Sequence, residues 1–198
     1  MAQKRDATNG VHALGFPALE TERLELRGLR DEDVDALRAI YGDPSVIRYM
    51  ADQEQPIVNA DELQWVIDWS RRMYGNGSGV RWAIELKGAP GLIGTCGFHL
   101  HDRHNQHAEV GYDLARAYWR QGIMSEALRP ILRYGFEQMK LHRIEANVTE
   151  GNVASVKTLL KAGFRQEGVW RERAYLRGAY YDLLQFGMLR EEFEGSIR

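Results

Sequence analysis

Tyr118-Trp119-Arg120-Gln121-Gly122-Ile123-Met124-Ser125-Glu126-Ala127 lies between a strand-like run and a helix-like run. A glycine turn that opens a helix presents several unpaired backbone N–H groups at the positive end of the helix dipole. Such a turn binds phosphate without needing a cationic side chain. The stretch therefore predicts a phosphorylated ligand, and the flanking sequence has to say which one.

Ahead of the turn, His107 to Leu114 reads as a strand. Behind it, Ala127, Leu128, Ile131, Leu132 and Gly135 share one face of a helix over 123–139, and His142 to Val148 is the next strand. Strand, turn, helix and strand make a βαβ crossover, which favours parallel strands and a right-handed path. Pro130 falls inside this helix, where proline removes a hydrogen bond at a cost of about 3 kcal/mol, so a bend is expected there.

Farther out, Glu22 to Leu29 alternates as a strand. Asp31 reads as a helix N-cap for Val34, Leu37, Ile40 and Tyr41, and Pro44 ends that helical region. Asn59 with Glu62 resembles a capping box for a second helix, which Gly75 to Gly79 breaks. Val80 to Lys87 and Leu92 to Leu100 form a hairpin across Gly88-Ala89-Pro90-Gly91. Asn152 to Ala162 is a helix with Gly163 at C′, and Phe164 to Tyr175 and Tyr180 to Leu189 are strands joined across Arg177-Gly178-Ala179. The expectation is a flexible tail over 1–17 and a single domain over 18–198. Its fold class is mixed α/β (α+β): a central, mostly antiparallel twisted sheet of about seven strands, with a parallel crossover and helices on both faces.

Composition narrows the function classes. The 198 residues are 44% hydrophobic and 27% charged with a net charge of −2, so no nucleic-acid partner is expected. A single cysteine, Cys96, excludes an intrachain disulfide and a cysteine-based zinc cluster. No stretch reads as a signal peptide or a membrane span, which makes the cytoplasm the expected compartment.

In order and at family spacing, the motifs resemble the GNAT acetyltransferase superfamily, within it the RimJ/RimL-like branch, from about Thr21 to Phe193. Thr21 to Arg27 is similar to that branch's first strand, and Leu92 to Phe98 to its central hairpin. Glu109-Val110-Gly111-Tyr112-Asp113-Leu114 followed by the glycine turn resembles its acetyl-CoA-binding motif, and Asn152-Val153-Ala154-Ser155 with Gly163-Phe164 its second motif. Of the wider superfamily pattern Gln/Arg-x-x-Gly-x-Gly/Ala, only Gly122 matches; Trp119 and Met124 hold the other two positions. Leu159 stands where many relatives carry a tyrosine that protonates the leaving thiolate.

The resemblance implies an acetyl-CoA-dependent N-acetyltransferase acting on a primary amine, either a protein N-terminus or a small molecule, by direct attack in a ternary complex. Acetyl-CoA is the implied co-substrate, with no metal and no membrane partner, and the oligomeric state is monomer or homodimer. A non-catalytic acyl-CoA-binding module and a transferase of another acyl group stay open. The resemblance places the pantetheine against the backbone of Tyr112, Asp113 and Leu114. It places the pyrophosphate on the turn of Trp119, Gln121, Gly122, Ile123, Met124, Ser125 and Glu126, with Asn152 reaching the pantetheine amides.

Acetyl transfer to an amine needs the amine neutral. At pH 7 a lysine amine is roughly 0.04% neutral and an α-amine roughly 10–15%. A base is required, with donors at the thioester oxygen and a proton for the leaving sulfur. Glu109, at the start of the strand that leads into the turn, is the candidate base, and Ser155 the candidate thiolate partner. Glu145 and Asn147 share a face of the next strand and could position a water. His99, His101, His104 and His107 read as a polar loop near the site, and Trp65 and Trp69 as covering residues. Asp31-Glu32-Asp33 and Asp52-Gln53-Glu54 are candidate acidic patches for a polycationic acceptor, or solvated helix starts.

Overall fold

The computed structural model describes residues 15–50 and 55–196. Its elements are β1 (Leu19–Glu20), β2 (Leu24–Arg27), α1 (Val34–Tyr41), α2 (Pro44–Ile47), α3 (Ala60–Asn76), β3 (Val80–Leu86), β4 (Ala89–Asp102) and β5 (His107–Leu114), then α4 (Ile123–Glu137), β6 (Arg143–Thr149), α5 (Val153–Ala162), β7 (Arg165–Leu176), β8 (Ala179–Leu189) and α6 (Arg190–Ser196). Eight strands form one sheet in the order β1-β2-β3-β4-β5-β6-β8-β7. The β5–β6 pair is parallel and the others are antiparallel. Among the described residues, no helix is long and apolar enough to cross a membrane.

Alternation along the strands sorts side chains into two cores. On one face Cys96, Phe98, Ala108 and Val110 pack with Ala127, Leu128 and Ile131 of α4 and with Leu159 of α5. On the other, Ala83 and Leu92 pack with Leu37, Ile40 and Tyr41 of α1 and with Leu63 and Ile67 of α3. The GNAT-like mixed sheet with helices on both faces, expected from the sequence, is the architecture found. Its eighth strand is β1, whose two residues are too short for a periodic signal.

Local expectations fare unevenly. Asn59 does cap α3, accepting from the Asp61 N–H at 2.9 Å. Asp31 does not cap α1: its carboxylate takes bonds from Gln64 and Arg71 instead, and a 3-10 turn over Asp31–Asp33 precedes the helix. Pro44 opens α2 at its first turn rather than ending a helix, a position where its missing N–H costs nothing. The β3–β4 hairpin turns on Lys87 and Gly88 alone, because Leu86 already pairs with Ala89. α4 runs on through Pro130. Residues 15–17, expected to belong to the tail, are docked: Phe16 packs edge-on to Trp82, whose indole N–H donates to the Pro17 carbonyl at 2.6 Å. The rest of the expected tail, and the Asp52-Gln53-Glu54 patch, lie outside the described residues.

Two polar clusters fix the α1 side of the sheet. Arg27 donates to both oxygens of Asp33, at 2.8 and 2.7 Å, and to Glu85 at 2.5 Å. Asp33 is thus occupied inside the protein, and Asp31 is paired with Arg71. Deeper in, Asp113 Oδ2 accepts from Tyr41 at 2.9 Å, Arg81 at 2.6 Å and Thr95 at 2.8 Å. This cluster ties α1, β3 and β4 to β5. Burial, reinforced by the Asp113 charge, pushes the Tyr41 phenol well above its ordinary pKa, so it stays a donor.

Removing one partner of a buried charge pair costs about 3–5 kcal/mol. Asp113→Ala, which strands Arg81, is therefore expected to lower the melting temperature by roughly 6–20 °C. Thermal unfolding followed by circular dichroism checks this; an unchanged melting temperature would show that the cluster is not a tie.

Candidate active site

β5 and β6 pair only at His107–Arg143, Ala108–Ile144 and Glu109–Glu145. Beyond Glu109 they part, while β5 stays paired to β4 as far as Leu114 and β6 to β8 as far as Thr149. The facing edges of Val110–Leu114 and Ala146–Thr149 therefore lack a strand partner. Unpaired main-chain groups away from water are costly, so this wedge suits an extended amide-bearing ligand that pairs as an added strand.

The narrow turn from β5 to α4 lies beyond the wedge. Gly122 is the N-cap of α4 at φ 76°, with no side-chain acceptor on the turn. The helical ladder begins with Glu126 N–H donating to the Gly122 carbonyl at 3.0 Å, which leaves the N–H groups of Ile123, Met124 and Ser125 at the open end. The side chains of Ile123 and Met124 are buried in the core, so only their backbone serves the turn. A Cβ on Gly122 would meet nothing closer than Arg23 at 3.7 Å; the left-handed φ, not crowding, is what calls for glycine.

The rest of the turn is braced by its own side chains. The Trp119 indole N–H donates to the Leu114 carbonyl at 2.7 Å, and Gln121 Nε2 to the Ala117 carbonyl at 2.8 Å. Glu126 points away, to Thr21 Oγ1 at 2.5 Å and to Arg23 Nε at 2.7 Å. Burial works against its charged form, but the bonds from Thr21 and Arg23 outweigh that and hold the carboxyl below its usual range. Arg23 also donates to the Gln121 carbonyl at 3.2 Å through both terminal nitrogens. Arg23 was absent from the sequence-based site because it sits a hundred residues away on β2's approach; only the fold brings it to the turn.

On the α4–α5 face, Tyr112 reaches across to Ser155, with 2.8 Å between the two hydroxyl oxygens. Asn152 caps α5, its Oδ1 accepting from the Ser155 N–H at 3.2 Å. Burial raises the Tyr112 phenol, and the Ser155 bond only partly offsets this, so the phenol keeps its proton. Leu159 is buried and packs in the core. Asp113 places its carboxylate in the Arg81 cluster, leaving only its backbone at the wedge.

On the α1 face, Glu109 Oε2 accepts from Asn147 Nδ2 at 2.8 Å. Glu145, its register partner, is drawn instead to Arg143 at 2.7 Å. Glu109 and Tyr112 therefore flank the wedge from opposite faces of the sheet. Beside the wide end a cavity of about 280 Å³ opens between α2, the turn after β6 and the β7–β8 hairpin, lined by Tyr49, Thr149, Glu150 and Tyr181 among others. The histidines do not form one polar loop: His101 faces the Gly77 carbonyl, His107 lies between Asp102 and Glu145, and His99 lies beside Glu109. Trp65 and Trp69 stack at 6.3 Å, with Trp65 exposed.

Residues 23–165 match the family described as the acetyltransferase (GNAT) domain. An uncharacterised N-acetyltransferase, p20, of Bacillus licheniformis is 37% identical over 89% of this chain and 98% of its own. A second, YoaA of Bacillus subtilis, is 36% identical over 88% of this chain and 98% of its own. Among solved structures, RimL, a ribosomal L7/L12 α-N-protein acetyltransferase in complex with coenzyme A, superposes with a TM-score of 0.80 over 87% of this chain and 98% of that one. At 20% identity that last likeness is one of fold. The chain belongs to the GNAT acetyltransferase family and is an acetyltransferase.

Proposed function

We propose that the chain transfers an acetyl group from acetyl-CoA to a primary amine by direct attack within the β5–β6 wedge. The observation that carries this reading is the position of the wedge. It opens directly after Glu109, ends at the uncapped start of α4, and has an acceptor on one face and a protonated phenol on the other. The pyrophosphate of the donor rests on the N–H groups of residues 123–125, where the helix dipole favours its charge. The pantetheine amides pair with the free edge of β5 and with Asn152. A strand N–H near Tyr112–Leu114 faces the thioester oxygen as charge develops there.

The two faces divide the proton work. On the α1 side Glu109, steadied by Asn147, takes a proton from the acceptor ammonium, and the amine attacks from that side. On the α5 side the sulfur leaves toward Tyr112, whose phenol protonates or hydrogen-bonds it while Ser155 holds the hydroxyl in place. Tyr112 thereby supplies from β5 the function that Leu159 cannot supply from α5. RimL, a protein α-amine acetyltransferase by name, supports a peptide N-terminus as the first acceptor class to test, and an α-amine places the smaller demand on the base.

The test is release of coenzyme A thiol against a panel of peptide N-termini, polyamines and aminoglycosides. No turnover of any amine, with tight coenzyme A binding retained, would replace the transferase reading of this site with that of a binding module. A valine at position 122 would have to adopt a left-handed φ, strain of about 1–2 kcal/mol. Gly122→Val is therefore expected to weaken coenzyme A binding by at least about tenfold in calorimetry while the far-ultraviolet circular dichroism is kept; unchanged affinity would put the pyrophosphate elsewhere. Glu109→Gln is expected to lower kcat/KM for the amine by about 10²–10⁴-fold, and Tyr112→Phe to lower kcat by about 10²-fold, both with coenzyme A affinity intact. Wild-type rates in either variant would remove that residue from the mechanism.

A further inference from the structure

Of the histidines at 99, 101 and 107, His99 is the one beside Glu109, the residue after which the wedge opens. It is the cross-strand partner of Glu109, so the two side chains share a face. His99 Nε2 lies 3.6 Å from Glu109 Oε1, and the side chains are 28% and 21% exposed. The other carboxylate oxygen, Oε2, is taken by Asn147 at 2.8 Å. The oxygen left to receive a proton is therefore the one that looks toward the imidazole. A separation of 3.6 Å is longer than a hydrogen bond; catalytic contacts are often this long before substrate binds.

The ring lies over Gly111: a Cβ there would stand 3.3 Å from His99 Cε1 and 3.7 Å from Nδ1, so a side chain at 111 would press on the ring. From β3, Arg81 Nη1 comes within 3.8 Å of the same point. The Arg81 charge is engaged by Asp113 at 2.6 Å, and its Nε by Thr95 at 2.7 Å. The nearest charged groups these contacts place by the ring are Glu109 on β5 and, beyond Gly111, Arg81 on β3 with its Asp113 partner.

We propose that His99 is a proton relay, passing to solvent the proton that Glu109 takes from the acceptor. The inference rests on the acetyl-transfer reading of the wedge. The acceptor ammonium gives one proton to Glu109 Oε1. The freed nitrogen pair forms the N–C bond to the thioester carbon, and the C–S bond breaks with its pair on sulfur. Tyr112 gives its phenolic proton to that sulfur and takes the second nitrogen proton in its place. Glu109 then hands its proton to His99 Nε2, the imidazole releases one from Nδ1 to water, and proton exchange with water returns the ring to its starting tautomer. The balance is ammonium plus thioester giving amide, thiol and one proton, with Glu109 again a carboxylate.

The experiment uses the full chain and an amine that the wild type acetylates. His99→Ala is expected to lower kcat by about 10²-fold, with KM for acetyl-CoA unchanged and the loss partly restored by free imidazole. His99→Gln fills the same space without carrying a proton and is expected to stay slow. Wild-type kcat in either variant overturns the proposal, as does a loss that imidazole leaves untouched and that comes with a lowered melting temperature. A second measurement does not depend on turnover: the ¹⁵N signals of the His99 ring are expected to move in Glu109→Gln, and unmoved signals overturn the pairing. If the wild type acetylates no amine, the transferase reading of the site fails while the ring signals still decide the His99–Glu109 pairing.

Discussion

The separation of β5 from β6 after Glu109 governs this molecule. A sheet interior is normally a place where every backbone donor and acceptor is matched. Here, beyond Glu109, two neighbouring strands are each paired on their outer sides and unmatched on the sides that face each other. The matched outer edges keep the gap from closing, because β5 cannot slide toward β6 without losing β4, and β6 is equally bound to β8. The gap is therefore a fixed feature of the fold, able to accept an extended chain of amides.

The alternation of side chains gives this gap its chemistry. Successive residues of β5 point to opposite faces, so Glu109 and Tyr112, three apart, cannot share one. On the proposed mechanism, an acceptor approaching from the α1 side meets a carboxylate, and a thiol departing to the α5 side meets a phenol. The Arg81–Asp113–Tyr41–Thr95 cluster holds the same strand against α1, so the segment that carries both groups is anchored between two cores. Pre-set geometry of this kind lowers the cost of bringing reactants together.

Much of this was legible in the sequence, for identifiable reasons. Long periodic segments such as α4 and β5 declared themselves through burial patterns, and Gly122 and Gly163 marked helix ends by a backbone requirement that few other residues meet. Features that depend on partners far away in the chain were not legible. Asp31 reads as a cap until Arg71 and Gln64 are brought beside it. Arg23 reads as a surface residue until the fold lays it against the 121–126 turn. Tyr112 was visible only as backbone, since nothing local says that its phenol crosses to Ser155. The histidines, neighbours in sequence, are dispersed by a bulge between His99 and Asp102 that a strict two-residue period does not anticipate.

The clasp of Arg23 on Gln121 and Glu126 joins the start of β2 to the turn proposed to hold the pyrophosphate. A ligand that binds only the folded turn stabilises it by mass action, by about 2.7 kcal/mol when present at a hundred times its dissociation constant. Through the clasp that stabilisation extends to an edge of the sheet remote from the acyl group. With the cofactor on that turn as proposed, local opening of β1 and β2, and the amide exchange it permits, is coupled to its binding, so the edge of the sheet reports on occupancy at its centre.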